Sequence, residues 1–207
     1  MRDSEESDAP AALLKILIAG GFGVGKTTLV GAVSQIEPLT TEEMLTRASI
    51  PHDSVQGVES KTSTTVALDF GMITLARQHM ALLLFGTPGQ ERFWFMWPDL
   101  AKGAIGAVVL VDTRRFEECY PAVEYFLDIG LPIVVAVNHF DGADRYEPAE
   151  VHAALELPPG TPVVLCDARD RLQVRQTLIT LVEHALILAT RNTTPSPTPS
   201  TSWSTRV

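Results

Sequence analysis

A glycine-rich octapeptide near the start of the chain, Gly20–Thr27 (the P-loop), limits the possible folds more than any other segment. Its sequence, GGFGVGKT, satisfies the pattern G-x-x-x-x-G-K-[S/T] and lies between a strand-like run, Leu14–Ala19, and a helix-like segment. The glycines let successive amides turn inward around a phosphate chain, Lys26 reaches the β- and γ-phosphates, and the Thr27 hydroxyl binds Mg²⁺. The octapeptide therefore predicts a nucleotide site. We assign to it Gly20, Gly23, Val24, Gly25, Lys26, Thr27 and Thr28.

Apolar runs alternate with helix-like segments along residues 12–190. Central runs such as Ala107–Val111 are apolar without alternation, as expected for parallel strands covered on both faces. Val66–Ala76 and Gln78–Phe85 look like two strands joined by a tight turn, which predicts one antiparallel edge strand. The alternation predicts a three-layer α/β fold of the P-loop NTPase type with a mostly parallel six-stranded sheet. The predicted helices are Lys26–Ile36, Phe116–Ile129 and Asp170–Thr190.

The composition agrees with one domain between two tails. The chain has 207 residues, of which 45% are apolar and 20% charged, enough for one domain with a hydrophobic core. Residues 1–11 are polar and acidic, and residues 191–207 are almost wholly Asn, Thr, Pro and Ser, so both are predicted to be disordered around a domain of residues 12–190. Cys119 and Cys166 are predicted to be reduced core thiols.

Charge and hydropathy argue against several classes of partner. The formal net charge of −9 disfavours non-specific binding to nucleic acid or to an anionic membrane. No apolar run has the length of a membrane span, the acidic N-terminus is unlike a signal peptide, and the C-terminus carries no prenylation cysteine. We therefore expect a cytoplasmic protein with no direct membrane insertion, and we expect any membrane contact to be made through a partner.

Two short segments further along the chain predict which base the site accepts. Asn138-His139-Phe140-Asp141 follows the run Ile133–Val137, at the carboxyl edge of the sheet where ligands of such folds bind. The Asp141 carboxylate can accept hydrogen bonds from N1–H and the 2-amino group of guanine, which adenine does not offer. Asn138 is predicted to tie this loop to the P-loop, and the Ala168 amide to donate to guanine O6. The residues assigned to base binding are Asn138, His139, Asp141, Ala168 and Arg169.

The chain carries five short segments in a fixed order. They are Gly20–Thr27, Thr65–Phe70, Gly86–Phe93, Asn138–Asp141 and Cys166–Arg169. This set resembles the guanine-nucleotide motifs of Ras-superfamily small GTPases, and within them it looks most like the bacterial Ras-like GTPases of actinobacterial conservon clusters. The resemblance implies a Ras-like G domain, a switch between GTP and GDP with Mg²⁺, and slow hydrolysis of GTP. It also implies a roadblock-type regulator and a sensor-kinase-like protein as partners.

The resemblance also implies roles for three further residues. Thr65 would close onto Mg²⁺ and the γ-phosphate, and the amide of Gly89 would sense the γ-phosphate. Gln90 would orient the attacking water, because this reaction depends on positioning more than on covalent chemistry. The implied catalytic residues are thus Gln90, Lys26 and Thr65, and the implied metal ligands are Thr27 and Thr65.

The chain departs from the family pattern at four positions. Gly86 stands where the family usually has an aspartate that holds Mg²⁺ through water, so negative charge is missing there. Phe22 occupies a P-loop position that is often glycine, and His139 replaces the usual lysine of the base loop. Thr64, before Thr65, provides no arginine finger.

These departures leave three hypotheses open. They are a slow GTPase that needs an accelerating partner, a scaffold that signals by GTP or GDP occupancy with scarcely any hydrolysis, and a P-loop ATPase or kinase. Gly86 argues for lost metal chemistry and Gln90 for retained water positioning, whereas Asp141 argues against adenine. Asp69 and Glu91 lie near Gly86 in sequence, but the sequence does not show that either replaces the aspartate.

Two segments allow more than one interpretation. The connector Ser34–Ser63 is longer than most structureless loops, and Thr40-Thr41-Glu42-Glu43 within it can cap a short helix. The connector is either a mobile lid or a partner-binding insert. The helical stretch Phe93–Trp97 has five apolar residues in a row, so periodicity does not decide between core and a docking surface for a regulator.

Overall fold

The computed structural model describes the backbone of residues 12–45, 64–75 and 79–193, and the side chains of these residues except 40–45, 64–67 and 192–193. Within this part of the chain, one sheet contains seven strands in the order β2-β3-β4-β1-β5-β6-β7. The strands are β1 (Ala12–Ala19), β2 (Leu39–Leu45), β3 (Thr64–Leu75), β4 (Met80–Gly86), β5 (Ala104–Val111), β6 (Ile133–Asn138) and β7 (Val163–Cys166).

The sheet is mostly parallel, with one strand running against the rest. β3 is antiparallel to both of its neighbours, β2 and β4, while β4, β1, β5, β6 and β7 pair in parallel. The predicted three-layer α/β fold is confirmed. A seventh strand, β2, lies outside β3, so the antiparallel strand is the second of the sheet and not its edge.

β2 corrects one prediction about the connector. The Thr40–Glu43 segment is extended and pairs with β3 in register from Leu39 opposite Phe70 to Leu45 opposite Thr64. A capping signal is local and weak, whereas antiparallel pairing over seven consecutive residues gives alternate residues of the segment backbone hydrogen bonds to β3. The part of the connector at residues 46–63 lies outside the described residues.

Five α-helices cover the sheet within the described part of the chain. They are α1 (Lys26–Val33), α2 (Trp97–Ala101), α3 (Tyr120–Asp128), α4 (Pro148–Ala154) and α5 (Arg171–Thr193). The predicted helix at 116–129 begins instead as a 3₁₀ helix, Thr113–Cys119, which contains a non-helical residue, Arg115. α4, which starts with a capping box between Glu147 and Glu150, is not among the helices predicted from the sequence. α5 continues three residues past the predicted end of the domain.

Two separate cores, one on each face of the sheet, explain the runs without alternation. In β1, Ile16 and Ile18 face the core beneath α1 and α5, whereas Leu17 and Ala19 face the core beneath α2 and α3. All four side chains are fully buried. Cys166 lies in the first core and Cys119 in the second, and both thiols are free and buried, as predicted.

Candidate nucleotide site

The P-loop joins the end of β1 to the start of α1 at the carboxyl edge of the sheet. Gly20, Gly23 and Gly25 have φ values of 128°, 71° and 105°, where a side chain would strain the backbone. A Cβ at Gly25 would also lie 2.6 Å from Asn138 Nδ2, so close packing demands glycine there as well. Val24 is buried, whereas Thr27 and Thr28 are exposed on the first turn of α1. The loop thus leads into a helix N-terminus, which favours an anion.

Lys26 holds its ammonium group inside the P-loop. Its Nζ donates to the carbonyl oxygens of Gly20, at 2.9 Å, and Gly21, at 2.7 Å. Burial lowers the pKa of Lys26 from 10.5 to about 8, against the charges of Asp69 and Glu118, which raise it. The group is therefore still mostly protonated at neutral pH and able to make charge-assisted hydrogen bonds to phosphate.

The segment after β4 lies directly against the P-loop. A Cβ on Gly89 would be 2.7 Å from Lys26 Nζ and 2.8 Å from the carbonyl carbon of Gly21, so only glycine permits this approach. Gln90 follows at the N-cap of a 3₁₀ helix, Glu91–Met96, and is partly exposed. The structure therefore brings Gly89 to the phosphate site, with Gln90 adjacent to it in the chain.

An aromatic cluster anchors this segment. The Trp97 indole Nε1 donates to the carbonyl oxygen of Pro88 at 3.2 Å. Its ring lies 5.2–5.8 Å, between centroids, from the rings of Trp94, Tyr125 and Phe126. Phe93 and Trp97 are buried, whereas Phe95 is 65% exposed. The stretch Phe93–Trp97 is therefore part core and part surface.

The residues beside the P-loop suit a magnesium ion. Thr27 Oγ1 donates to Asp69 Oδ2 at 2.6 Å, which puts a hydroxyl and a carboxylate, the hard oxygen donors that Mg²⁺ prefers, side by side. No group of three or more His, Cys, Asp and Glu suited to a metal occurs in the described part of the chain, so an ion here would rely on the nucleotide as well. Thr65 lies on β3, but its side chain is outside the described residues and its role stays a prediction.

Asn138, at the end of β6, connects the P-loop to the loop after β7. Its Nδ2 donates to the carbonyl oxygen of Val24 at 2.8 Å, and its Oδ1 accepts from the amide of Ala168 at 2.9 Å. All three residues are buried. The Ala168 amide, which the sequence analysis assigned to guanine O6, is thus engaged by Asn138 in this structure. Through this hydrogen bond the Ala168 amide helps to hold the loop after β7 against Asn138, which in turn contacts the P-loop.

The far end of the site is an exposed group of charges. The Asp141 side chain is 83% exposed and lies 3.5 Å from Arg169 Nη1 and 3.9 Å from His139 Nε2. Arg169 also bonds Asp167 through Nε and Nη2, and this lowers the pKa of the Asp167 carboxyl to about 2. The structure therefore gathers the predicted base-loop residues, with Arg169 between two carboxylates.

Three charged residues lie at the site but were not predicted from the sequence to belong to it. They follow β5, at the same carboxyl edge, and are Asp112, Arg115 and Glu118. Arg115 Nη2 donates to the carbonyl oxygen of Phe22 at 3.0 Å, and its Nη1 donates to Glu118 at 3.1 Å. The Glu118 side chain lies against Gly21. Their position after a central parallel strand was the available signal, because such strand ends meet at one edge.

The sequence that forms this site matches a known protein family. A family model described as a conserved hypothetical ATP-binding protein matches residues 18–187, which include the P-loop, Gly89, Asn138 and Ala168. The chain belongs to this family of conserved hypothetical ATP-binding proteins.

Two individual proteins illustrate how similar this chain is to its relatives. An uncharacterised protein of Methanocaldococcus jannaschii, MJ1339, is 31% identical over 136 residues, which cover 63% of this chain and 73% of the relative. The human Ras-related protein Rab-7b is 26% identical over 183 residues, which cover 84% of this chain and 82% of Rab-7b.

Solved structures share the fold. The cytosolic domain of the T. maritima FeoB iron transporter matches with a TM-score of 0.58 at 20% identity, over 84% of this chain and 64% of that one. The isolated G domain of the same transporter matches with a TM-score of 0.58 at 19% identity and is covered over 99% of its length. The chain therefore spans the G domain and about two thirds of the larger cytosolic domain.

Together, the family, the Ras-related relative and the shared fold support a GTPase-like P-loop domain. The conservon type that the motifs resemble is not shown by these relatives and stays a prediction. None of the helices in the described ranges is long and apolar enough to cross a membrane.

Proposed function

We propose that this protein is a guanine-nucleotide switch that hydrolyses bound GTP to GDP slowly and is accelerated by a partner. The observation that carries the proposal is the pair of hydrogen bonds made by the Asn138 amide, to Val24 and to Ala168. They bind the two base loops to the P-loop, so one nucleotide can contact all three. The Asp141 carboxylate then lies at the outer end of that site.

The choice of guanine over adenine rests on this carboxylate. The family description names ATP, whereas Rab-7b is Ras-related and matching FeoB domains are described in GDP and GMPPNP forms. A carboxylate at Asp141 finds two donors, N1–H and the 2-amino group, on guanine and no such pair on adenine. Arg169 Nη1 lies 3.5 Å from Asp141 Oδ2 and helps to orient that carboxylate.

We expect hydrolysis to be slow because the arginine that contacts the P-loop, Arg115, is already engaged in other contacts. The guanidinium of Arg115 is already engaged by Phe22, Glu118 and Asp112, at 3.0, 3.1 and 3.4 Å. It is thus committed to holding the loop, and a cation supplied to the transferred phosphoryl group accelerates such reactions by about 10³–10⁵. An accelerating partner would provide it or would order Gln90. The proposed ligands of Mg²⁺ are Thr27 and Thr65.

The proposed partner surface lies on the 3₁₀ helix that follows Gln90. Phe95, in the 3₁₀ helix that Gln90 caps, exposes an aromatic ring beside residues buried in the core. Exposed aromatic side chains are favoured anchors of protein interfaces. We assign this surface to the roadblock-type regulator and the sensor-kinase-like protein that the motifs imply, acting in bacterial cytoplasmic signalling.

Titration with GDP, GTP and ATP in Mg²⁺ tests nucleotide choice. We expect guanine nucleotides to bind at least about 100-fold more tightly than ATP, because the paired hydrogen bonds to Asp141 are charge-assisted. Preference for ATP would replace the proposal with the ATP-binding function that the family description names.

Single-turnover hydrolysis of bound GTP tests the enzyme. Slow hydrolysis that falls about tenfold or more in Gln90→Leu, with GTP affinity unchanged, supports the switch. Gln176→Leu, an exposed change of the same type on α5, is the matched control. Tight guanine binding without turnover would favour the second candidate, an occupancy-signalling scaffold, for which Gly86 is the specific argument.

A further inference from the structure

The pairing of β3 with β4 places Asp69 beside Gly86, the position where the Ras-superfamily pattern has an aspartate. Phe70 lies opposite Phe85 in this antiparallel pair, so Asp69 and Gly86 follow as neighbours at the end of the ladder. A Cβ on Gly86 would lie 3.0 Å from the Asp69 Cβ and 3.1 Å from its Oδ2. The Asp69 side chain therefore fills the space into which an aspartate at position 86 would extend.

The same carboxylate contacts the metal-binding hydroxyl of the P-loop. Asp69 Oδ2 accepts the hydrogen of Thr27 Oγ1 at 2.6 Å. A hydroxyl that donates its hydrogen to a carboxylate turns its lone pairs away from that carboxylate, which frees them for a cation. Asp69 is only 8% exposed, whereas Thr27 is on the surface, so the pair is fixed on one side and open on the other.

Charge and burial around this pair agree with a cation site. The charge of Asp69 interacts with that of Lys26, so this carboxylate lies at the phosphate-binding end of the site. Thr87, next to Gly86, has a buried hydroxyl without a hydrogen-bond partner among the described residues, so this hydroxyl can still make a polar contact. Glu91, the other acidic residue near Gly86 in sequence, is exposed at the start of a 3₁₀ helix.

We infer that Asp69 is the metal-positioning carboxylate of this site and replaces the aspartate missing at Gly86. It orients Thr27 Oγ1 toward Mg²⁺ and supplies the negative charge beside the ion. The inference rests on the proposed function, because Mg²⁺ is expected to bind together with the nucleotide. In this chain the carboxylate therefore comes from β3, the strand adjacent to β4, and it contacts the P-loop threonine Thr27.

Metal affinity of the GDP complex tests this role without requiring hydrolysis. GDP release is measured against free Mg²⁺ concentration for the wild type, Asp69→Asn, Asp69→Ala, and Asp69→Ala combined with Gly86→Asp. Loss of a group that orients a metal ligand typically costs about 10–100-fold in metal affinity. We expect that loss in both single variants, with GDP affinity in EDTA within about twofold of wild type.

The combined variant separates metal chemistry from folding. Asp69→Ala opens the space beside Gly86, so the aspartate introduced at position 86 should recover most of the Mg²⁺ affinity. Gly86→Asp alone should lower the melting temperature, because its side chain meets the Asp69 carboxylate. Mn²⁺ bound to each GDP complex, followed by electron paramagnetic resonance, gives an independent measure of the ion's surroundings.

The outcomes are distinct for the two proposals. Mg²⁺ affinity within twofold of wild type in Asp69→Asn would overturn the role of Asp69 and leave the guanine switch intact. A wild-type protein that binds no guanine nucleotide would overturn the proposed function first, and this inference with it. Failure of the combined variant to recover Mg²⁺ affinity, with a normal melting temperature, would also overturn the inference.

Discussion

The two ends of the nucleotide site are built in different ways. At the phosphate end, Lys26, Gly89 and the glycine turns of the P-loop are in close contact, and a Cβ at Gly89 would collide with Lys26. At the base end, Asp141 stands in solvent beside Arg169 and His139. Asn138 is the buried link between them. We therefore expect affinity to be concentrated at the phosphate end and selectivity to depend on a few exposed charges.

The largest effect should come from the phosphate end. Lys26→Ala removes the ammonium group that lies inside the P-loop, and hydrogen bonds to charged groups are worth about 1.5–3 kcal/mol each. We expect the Kd for GDP to rise at least about 100-fold, so that GDP is no longer bound tightly. Lys102→Ala removes an exposed lysine that is paired with Asp99 at the end of α2, and serves as control. Tight GDP binding by Lys26→Ala in equilibrium titration would show that the P-loop does not hold phosphate.

A smaller, selective effect is expected at the base end. Asp141→Asn replaces a carboxylate by an amide, which can accept one hydrogen bond from guanine but presents an NH₂ group to its second donor. We expect GTP affinity to fall about tenfold to 100-fold, and the preference over xanthine nucleotide to relax. Asp144→Asn, in the same exposed loop, makes the same change of charge. Unchanged GTP affinity in Asp141→Asn would remove Asp141 from base recognition.

The smallest expected effect is the uptake of a proton by Lys26 when GDP binds. The pKa of Lys26 is about 8 in the folded protein, below its ordinary value of 10.5, so the folded protein has lost this proton at pH 9. Phosphate favours the charged form and should raise that pKa, so binding of GDP at pH 9 should take up close to one proton. Little uptake is expected at pH 7, where the group is already charged. Calorimetry in two buffers of different ionisation enthalpy measures the difference, and equal uptake at both pH values would contradict the assignment to Lys26.

Local patterns were sufficient to predict the strand, loop and helix that form the proposed phosphate end. β1, the P-loop and α1 are consecutive in the chain, so the glycines and Lys26 could be placed from spacing alone. The base loops were also predictable as strand ends, because parallel strands bring their carboxyl ends to one edge. What spacing does not give is the hydrogen bonding among them, and the amide of Ala168 was therefore assigned to the base when it bonds Asn138.

Long-range contacts account for what the sequence did not predict. The proximity of Asp69 to Gly86 depends on the register between two antiparallel strands, which no short segment encodes. β2 forms because β3 offers it an edge, and its own sequence instead carried a signal for a helix cap. Arg115 and Glu118 reach the P-loop from beyond β5, about 90 residues further along the chain, a separation at which spacing carries little information.

The hydrogen bond from Trp97 to Pro88 gives this protein an optical property. The indole N–H is donated to the segment that also carries Gly89, and its ring is stacked among other aromatic rings. Displacement of Pro88 would break that bond and change the polarity around the chromophore, which shifts the emission of tryptophan. The contribution of Trp97 to the intrinsic fluorescence therefore reports on whether this segment rests against the P-loop, with no attached dye.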